Sequence, residues 1–155
     1  MALFPTSDLK LTFDGRGFTC DLEIVDGDLA LDATPATPML VSLGTDRRAL
    51  PDDRLPDGVG PLTSPPSWTA RRGWVGDCLS RAGRRIGSRL WQLCREHDDE
   101  ATRRRADAYA REALAWARRD FDITPEIDVS WARAGLLQIR AYLDGRSVVL
   151  RRALT

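Results

Sequence analysis

Few side chains in this sequence could carry catalysis, and their surroundings do not favour it. His97 is the sole histidine of the 155 residues, so a triad with a histidine base would have to use it. It lies between Glu96 and Asp98, at the polar start of an expected helix. A solvated residue that borders a helix N-terminus is the ordinary role for a side chain in that position. We therefore predict no catalytic residue and no enzymatic activity.

The candidate metal ligands are similarly incomplete. Cys94 and His97 are three positions apart and offer two ligands, whereas a structural zinc ion takes four. Cys20 and Cys78 are remote from them in sequence and make no second pair. Three cysteines without a CxxC spacing also argue against a disulfide framework and fit a reducing compartment. The sequence therefore predicts neither a metal nor a cofactor.

The charges give no general attraction to nucleic acid or to a membrane. Basic and acidic residues balance at 23 each, and no apolar run approaches the length of a membrane span. The basic run 103–105 shares its expected helix with Glu100 and Asp107, as a solvated helix face does. Residues 83–88 are only superficially similar to a phosphate-binding loop, because the GxxxxGK[ST] spacing and its lysine are absent. We predict no nucleic-acid partner and no membrane partner.

Arginine, tryptophan and glycine are concentrated between residues 71 and 95, which we call the Arg71–Arg95 segment. It holds seven arginines and two of the five tryptophans. Arginine stacks on aromatic rings and pairs with carboxylates in forks, and glycine beside a large aromatic residue indicates a close backbone approach or a positive φ angle. We interpret the segment as a seam where two parts of the fold meet each other or a partner, and a buried tryptophan core with an arginine rim is compatible with both. The residues predicted to contact a protein partner here are Arg71, Arg72, Trp74, Arg84, Arg85, Arg89 and Trp91.

The N-terminal part of the chain has the pattern of short strands. Residues 9–13 and 18–24 alternate between apolar and polar side chains, and an Asp-Gly pair follows each run. The pattern predicts an N-terminal β-hairpin arm over residues 1–27 and a single domain over residues 28–155. The alternative for the arm is that it becomes ordered only on a partner.

Two helices are predicted after the arm. Thr34-Pro35 is a start signal that precedes an apolar stripe, so the first helix is expected over residues 35–48. The second helix is expected over residues 99–119, because acidic residues begin it, arginines end it, and alanines line one face together with Trp116. The small alanine side chains predict close packing against a flat surface such as a sheet.

A proline-rich loop separates the first helix from the Arg71–Arg95 segment. Five prolines lie between residues 50 and 68, a density that excludes regular structure. Leu62 and Trp68 are the apolar residues expected to pin this loop to the rest of the fold.

The C-terminal third of the chain predicts a sheet. Residues 127–131, with Trp131 facing inward, and residues 137–143 alternate as half-buried strands do. Asp144-Gly145 predicts a hairpin turn into a third strand. The fold class is therefore α+β: helices packed on a small antiparallel sheet, with a C-terminal three-stranded meander and an N-terminal β-hairpin arm.

The last strand of that meander is a second candidate site. A strand at the edge of a sheet has unpaired N–H and C=O groups, which invite another chain to add a strand. Val148 and Leu150 are the residues predicted to contact a partner at this edge. The alternative is that Arg151 and Arg152 only guard the edge against aggregation.

Six short motifs along the chain occur in the order typical of one protein family. They are Asp28-Leu29-Ala30-Leu31, Thr45-Asp46-Arg47-Arg48-Ala49, Leu55-Pro56-Asp57-Gly58, Arg71-Arg72-Gly73-Trp74-Val75-Gly76-Asp77, Ile86-Gly87-Ser88-Arg89-Leu90-Trp91 and Tyr109-Ala110-Arg111-Glu112-Ala113-Leu114-Ala115-Trp116. The resemblance that they carry extends over most of residues 28–143. This ordered set resembles the Mu-type phage baseplate protein family. That family is similar to the small wedge and sheath-initiator proteins of contractile-tail baseplates and has relatives in type VI secretion baseplates.

The resemblance implies a function as well as a fold. A member of this family is expected to be a structural subunit of a sixfold baseplate, held by wedge proteins, next to the first ring of the tail sheath and in reach of tail tube or hub proteins. Its expected location is the tail baseplate of the virion, assembled in the host cytoplasm, and the family has no established active site. We predict that the Arg71–Arg95 segment faces the wedge proteins and that the C-terminal hairpin engages the sheath. Because some relatives carry the label tail lysozyme, a small cell-wall hydrolase is the alternative function.

Overall fold

The computed structural model of the chain describes residues 7–14, 19–58, 68–80 and 83–154. It confirms an α+β fold, in which the helices pack on a C-terminal antiparallel meander. The helices are α1 (Ala36–Gly44), α2 (Glu100–Ala113) and α3 (Ala115–Phe121), with short 3-10 helices at Trp68–Arg71, Val75–Leu79 and Arg89–Leu93. The strands are β1 (Asp8–Leu9), β2 (Leu11–Asp14), β3 (Thr19–Leu22), β4 (Ile24–Val25), β5 (Asp28–Leu29), β6 (Leu31–Asp32), β7 (Glu126–Arg133), β8 (Leu136–Leu143) and β9 (Arg146–Ala153).

The predicted N-terminal strands are present as three antiparallel pairs. β1 pairs with β6, β2 with β3, and β4 with β5. The pairs meet at a ring of three backbone hydrogen bonds: Lys10 donates to Ala30 at 2.8 Å, Ala30 to Glu23 at 2.9 Å, and Glu23 to Lys10 at 3.0 Å. We call the described part of residues 8–32 the N-terminal arm. Its strands satisfy one another locally, as the Asp-Gly turn signals indicated.

One side chain joins the N-terminal arm to α1. The Thr37 hydroxyl accepts a hydrogen bond from the Leu11 N–H at 3.2 Å and donates one to the Leu9 carbonyl at 3.1 Å. Thr37 is buried in the first turn of α1. The arm is therefore attached at the N-terminal end of that helix.

α1 ends at Gly44, four residues earlier than predicted. The backbone becomes extended at Thr45, where φ is −95° and ψ is 158°. The next residues pair with the Arg71–Arg95 segment through backbone hydrogen bonds, which a helix could not make. The helix also begins one residue later than predicted, because Pro35 is its N-cap rather than its first residue.

The predicted helix over residues 99–119 is interrupted at Leu114. The Asp99 carboxylate caps its start by accepting a hydrogen bond from the Thr102 N–H at 2.7 Å. At Leu114 the backbone has φ of −97° and ψ of 7°, and the side chain is fully buried in the core. This departure divides the element into α2 and α3. The alanine face packs against β7 and β8 as predicted, and its buried members are Ala106, Ala110, Ala113 and Ala117.

The two tryptophans predicted for the core border it instead of filling it. Trp116 and Trp131 are partly buried and pack against the main cluster of buried residues. The Trp116 indole N–H donates to the Ser42 hydroxyl at 2.9 Å, and its ring meets Phe121 edge-on at a centroid distance of 6.0 Å. The largest fully buried side chains in that cluster include Met39, Leu43, Leu90, Leu93 and Leu114.

The C-terminal meander has the predicted order and turn. β7, β8 and β9 are hydrogen-bonded neighbours, and β8 is the central strand. Asp144 and Gly145 have φ angles of 46° and 73°, which suit a two-residue hairpin turn. Val129, Ile139 and Ala141 are buried on the face that the helices cover.

The proline-rich loop is described over residues 50–58. Leu55 is buried and packs with Ala49 and Trp91 in a second, smaller core. This contact anchors the loop beside the Arg71–Arg95 segment. Leu62 and the side chain of Trp68, the residues predicted to pin the loop, lie outside the described residues.

Candidate protein-interaction sites

The backbone of the first site is built where the extended stretch after α1 passes the Arg71–Arg95 segment. The Arg47 N–H donates to the Ser88 carbonyl, and the Ser88 N–H donates to the Thr45 carbonyl, both at 2.9 Å. Farther along the stretch, the Ala49 N–H donates to the Arg71 carbonyl at 2.9 Å. Two separate parts of the segment therefore hold one extended strand of chain, as the seam interpretation requires.

Two glycines permit this close approach. Gly73 and Gly87 have φ angles of 88° and 89°, which L-residues rarely adopt. A Cβ atom at Gly87 would lie 2.7 Å from the Thr45 carbonyl oxygen, and one at Gly73 would lie 2.5 Å from the Arg48 Cβ. The prediction that these glycines mark a close backbone contact is confirmed.

Arg89 is the centre of a polar network that joins three elements. Its Nε donates to Glu112 on α2 at 2.9 Å, and its Nη1 donates to both Asp53 oxygens, at 2.9 and 3.1 Å. The guanidinium carbon lies 4.5 Å from the centroid of the Tyr109 ring. Gln92 closes the network, because its amide donates to Asp53 at 2.8 Å and accepts from the Tyr109 hydroxyl at 3.1 Å. Arg89 is thus bound inside the chain.

In this network, hydrogen bonds and ion pairs together shift the pKa values more than burial does. Burial alone would raise the pKa of Asp53. Hydrogen bonds from Gln92, from the Leu50 N–H and from Arg89 lower the pKa of that carboxyl below its ordinary value. Burial would lower the pKa of Arg89, and its pairing with Glu112 and Asp53 raises that pKa. Both groups are therefore charged at neutral pH.

Trp91 and Arg72 form a stacked pair at the edge of the smaller core. Trp91 is 2% exposed, and its indole N–H donates to the Arg47 carbonyl at 2.8 Å. The Arg72 guanidinium carbon lies 4.6 Å from the Trp91 ring centroid, and its Nη1 is 2.6 Å from Asp46. Stacking and ion pairing fix the orientation of Arg72 while leaving about half of its side chain exposed.

The seven predicted contact residues of the segment divide into an inner and an outer group. Arg71 donates to the carbonyl of Leu50 and, at 3.0 Å, to that of Pro51, so it holds the loop. Arg71, Arg89 and Trp91 therefore act within the chain. The other four are exposed: Arg72, Trp74, Arg84 and Arg85. Partner contact remains a prediction for all seven residues.

Two clefts open beside the exposed group. The Trp74 cleft has a volume of about 390 Å³ and is lined by Trp74, Val75, Cys78 and Arg85, among others. The Arg95 cleft is smaller, about 170 Å³, and its lining includes Leu55, Arg72, Trp91 and Arg95. Each combines apolar surface with guanidinium groups, which suits a protein partner that has acidic and apolar side chains.

The second site is the outer edge of β9, and the structure changes which residues face it. Val148 is 5% exposed and Leu150 packs against the core, so both side chains lie on the inner face of the sheet. Hydrogen bonding to β8 alternates along β9 from the turn, so the N–H and C=O groups of Ser147, Val149 and Arg151 point away from β8. Among the described residues, no strand pairs with that outer edge.

The residues considered for catalysis and for metal binding lie just before α2. His97 is exposed and precedes the Asp99 cap of α2, while Cys94 is half-buried in the preceding turn. Within the described ranges, no group of three or more His, Cys, Asp or Glu side chains is placed to hold a metal ion. None of the helices in those ranges has both the length and the apolar character needed to span a bilayer.

Sequence reasoning missed the acidic half of the Arg89 network and the apolar half of the Trp74 cleft. Asp53 and Glu112 are 36 and 23 positions from Arg89, and such distant pairing has no local signal. Val75 and Leu79 are strongly exposed next to Trp74. Their signal was present in the sequence, as apolar residues among the arginines, but it equally suited a buried core.

Comparison with known proteins identifies the family. A family model described as Phage protein GP46 matches residues 35–148, and the chain belongs to this family of Mu-type phage baseplate proteins. The chain is 46% identical over 113 residues to the Baseplate protein gp46 of Escherichia phage Mu, a match that covers 72% of this chain and 68% of that protein. No solved structure matches the chain.

Proposed function

We propose that the protein is a structural subunit of the baseplate of a contractile phage or phage-like tail, where it binds wedge proteins and initiates the tail sheath. The observation that carries the proposal is its 46% identity to the Mu baseplate protein over 113 residues. The family match at residues 35–148 spans α1, the Arg71–Arg95 segment, α2 and most of the meander. The first candidate site lies within the part of the chain that the family shares, and β9, which forms the second site, starts within it.

Wedge proteins are proposed to contact the Arg95 cleft. Arg72 is held in place by Asp46 and by the Trp91 ring, so little side-chain freedom is lost when a partner binds. Arg95 is exposed, and its guanidinium donates to the Pro56 carbonyl at 3.2 Å. Carboxylates of a wedge protein would pair with these two guanidinium groups, which favour forked hydrogen bonds.

The tail sheath is proposed to add a strand to the outer edge of β9. Val149 is 42% exposed there, and it lies between Ser147 and Arg151, whose outward backbone groups are also available. Main-chain hydrogen bonds supply the affinity in this mode of recognition, and exposed side chains select the partner strand. The Arg151 side chain donates a hydrogen bond to Gln138 on β8 at 3.2 Å, so it lies over the sheet and leaves the outer backbone edge of β9 uncovered.

A proline at Val149 tests the sheath contact. Proline has no N–H, so Val149→Pro removes one outward donor while the ladder to β8 keeps its hydrogen bonds. Deletion of β9 would be a poorer test, because it removes the buried Val148 and opens the core. In a phage whose own copy of the gene is deleted, complementation with Val149→Pro should give baseplates without polymerised sheath, as seen by electron microscopy.

Val149→Ala is the matched control, because it shortens the side chain and retains the N–H group. It should restore sheathed tails. Sheathed tails from Val149→Pro at the wild-type frequency would refute the edge assignment. Peptidoglycan zymography with the purified protein addresses the hydrolase alternative: a structural role predicts no clearing, and a clearing band would favour the enzyme.

A further inference from the structure

Large apolar side chains are exposed mainly at two places in the described residues. Isolated exposed apolar residues are ordinary, but a cluster of them marks an interaction surface. Of the twelve large apolar side chains that are exposed in the described residues, ten belong to one of two groups. The N-terminal arm contributes Leu9, Leu22, Ile24, Val25, Leu29 and Leu31, and the surroundings of the Trp74 cleft contribute Trp74, Val75, Leu79 and Ile86.

The two groups lie in stretches of opposite charge. Residues 8–32 contain seven acidic residues against Lys10 and Arg16, a net formal charge of −5. Residues 71–89 contain six arginines against Asp77, but Arg72, Arg84 and Arg89 are already paired with carboxylates of the chain. Within the described part of the chain, no carboxylate pairs with the Arg85 guanidinium at the rim of the cleft. Acidic side chains of the N-terminal arm therefore suit Arg85 at the rim of the cleft.

The two surfaces are attached to opposite ends of α1. The N-terminal arm is bonded to Thr37 in the first turn of that helix. The Trp74 cleft is bordered by Arg48, four residues after the helix ends at Gly44. A helix of nine residues is about 13 Å long. The apolar side chains of both groups are exposed, so neither surface covers the other within one copy.

We infer that the N-terminal arm of one copy docks on the Trp74 cleft of a second copy. The contact covers Ile24 and Leu31, the arm's two most exposed apolar residues at 68% and 67%, with Trp74 and Val75 of the neighbour. Acidic side chains of the arm would then face Arg85. Because each copy uses two different surfaces, the contact is head-to-tail and leads to a ring or an open chain of copies. It is separate from the proposed wedge and sheath contacts at the Arg95 cleft and β9.

Complementation between two variants of the full chain tests this inference. The arm variant carries Ile24→Ser and Leu31→Ser, and the cleft variant carries Val75→Ser and Arg85→Glu; all four positions are exposed. Sedimentation equilibrium should show wild-type protein associating with rising concentration up to about 1 mM, the weak end of specific association. Each variant alone should stay monomeric. Their equimolar mixture should form a 1:1 dimer and grow no further, because it retains one intact arm and one intact cleft.

Matched controls keep the outcome specific. Arg118→Glu and Tyr142→Ser make the same kinds of change at exposed positions outside both surfaces and should leave the wild-type association unchanged. If the double cleft variant has a lowered melting temperature, the single variant Arg85→Glu takes its place. That variant should weaken association about tenfold. A wild-type chain that is monomeric throughout, or a mixture of the two variants that stays monomeric, overturns the inference. Neither result bears on the wedge and sheath contacts, since no other tail protein is present.

Discussion

Replacing Arg89 by alanine should destabilise the fold itself. In the native protein the guanidinium joins the loop residue Asp53 to Glu112 on α2 and stacks on Tyr109. The substitution leaves both carboxylates in place without their shared partner. A failure of Arg89→Ala to assemble would therefore report lost stability and would not by itself identify a partner contact.

The exposure of the three side chains sets the size of the effect. Arg89 and Asp53 are 15% and 14% exposed, so their pair is largely desolvated, whereas Glu112 is 33% exposed and can regain water. Removing one partner of a buried pair costs about 3–5 kcal/mol, and the hydration of Glu112 places this case near the lower end, about 3 kcal/mol. For a chain of this length each kcal/mol lowers the Tm by about 2–4 °C, which gives a loss of about 6–12 °C.

Thermal unfolding followed by circular dichroism measures that loss. Arg104→Ala is the control, because Arg104 is 75% exposed and pairs with Glu100 on the surface of the same helix. Its Tm should stay within about 1 °C of wild type. A double-mutant cycle with Asp53→Ala should show that the two substitutions are not additive. An Arg89→Ala Tm within about 2 °C of wild type would refute the structural role of the network.

Two further predictions concern the backbone contact and the response to pH. Gly87→Ala should cost more than about 2 kcal/mol, because the added Cβ meets the Thr45 carbonyl in addition to the strain of a positive φ. Gly58 has a similar φ, and among the described residues nothing lies within 4 Å of a Cβ added there, so Gly58→Ala should cost only about 1 kcal/mol in denaturant titrations. Equal losses would show that the close approach is absent. Because the folded-state pKa of Asp53 is lowered, its contribution to stability is present above the unfolded pKa of about 3.9 and is lost as pH falls through the folded value. Asp53→Asn should flatten the acid limb of a plot of Tm against pH, and an unchanged limb would contradict that assignment.

The sequence predicted best those elements whose signals are local. In the meander, apolar and polar side chains alternate along the strands, and Asp144-Gly145 fixes the turn between β8 and β9. The strands and the register of that hairpin therefore follow from residues that are close in sequence. The close approach at Gly73 and Gly87 was predicted correctly because its signal is local as well. A positive φ or a close approach is a requirement at one position, and glycine meets it there.

The parts that were missed depend on contacts between distant residues. The helical pattern runs through Leu114 without interruption, yet at this buried residue the backbone leaves the helical conformation and divides α2 from α3. The stretch from Val148 to Leu150 is apolar throughout, so its composition does not show which side chains face inward. The register across from β8 does show it, because Val148 lies opposite the buried Ala141 and Val149 opposite the exposed Arg140.

The protein composition of purified tail particles tests the proposed baseplate role most directly. Quantitative mass spectrometry of particles, combined with electron microscopy of antibody-labelled tails, should find this chain in a fixed ratio to the other tail proteins and at the baseplate end. Particles from a phage that lacks the gene should have no sheathed tails. Purified, sheathed and infective tails that contain none of this chain would contradict the proposal.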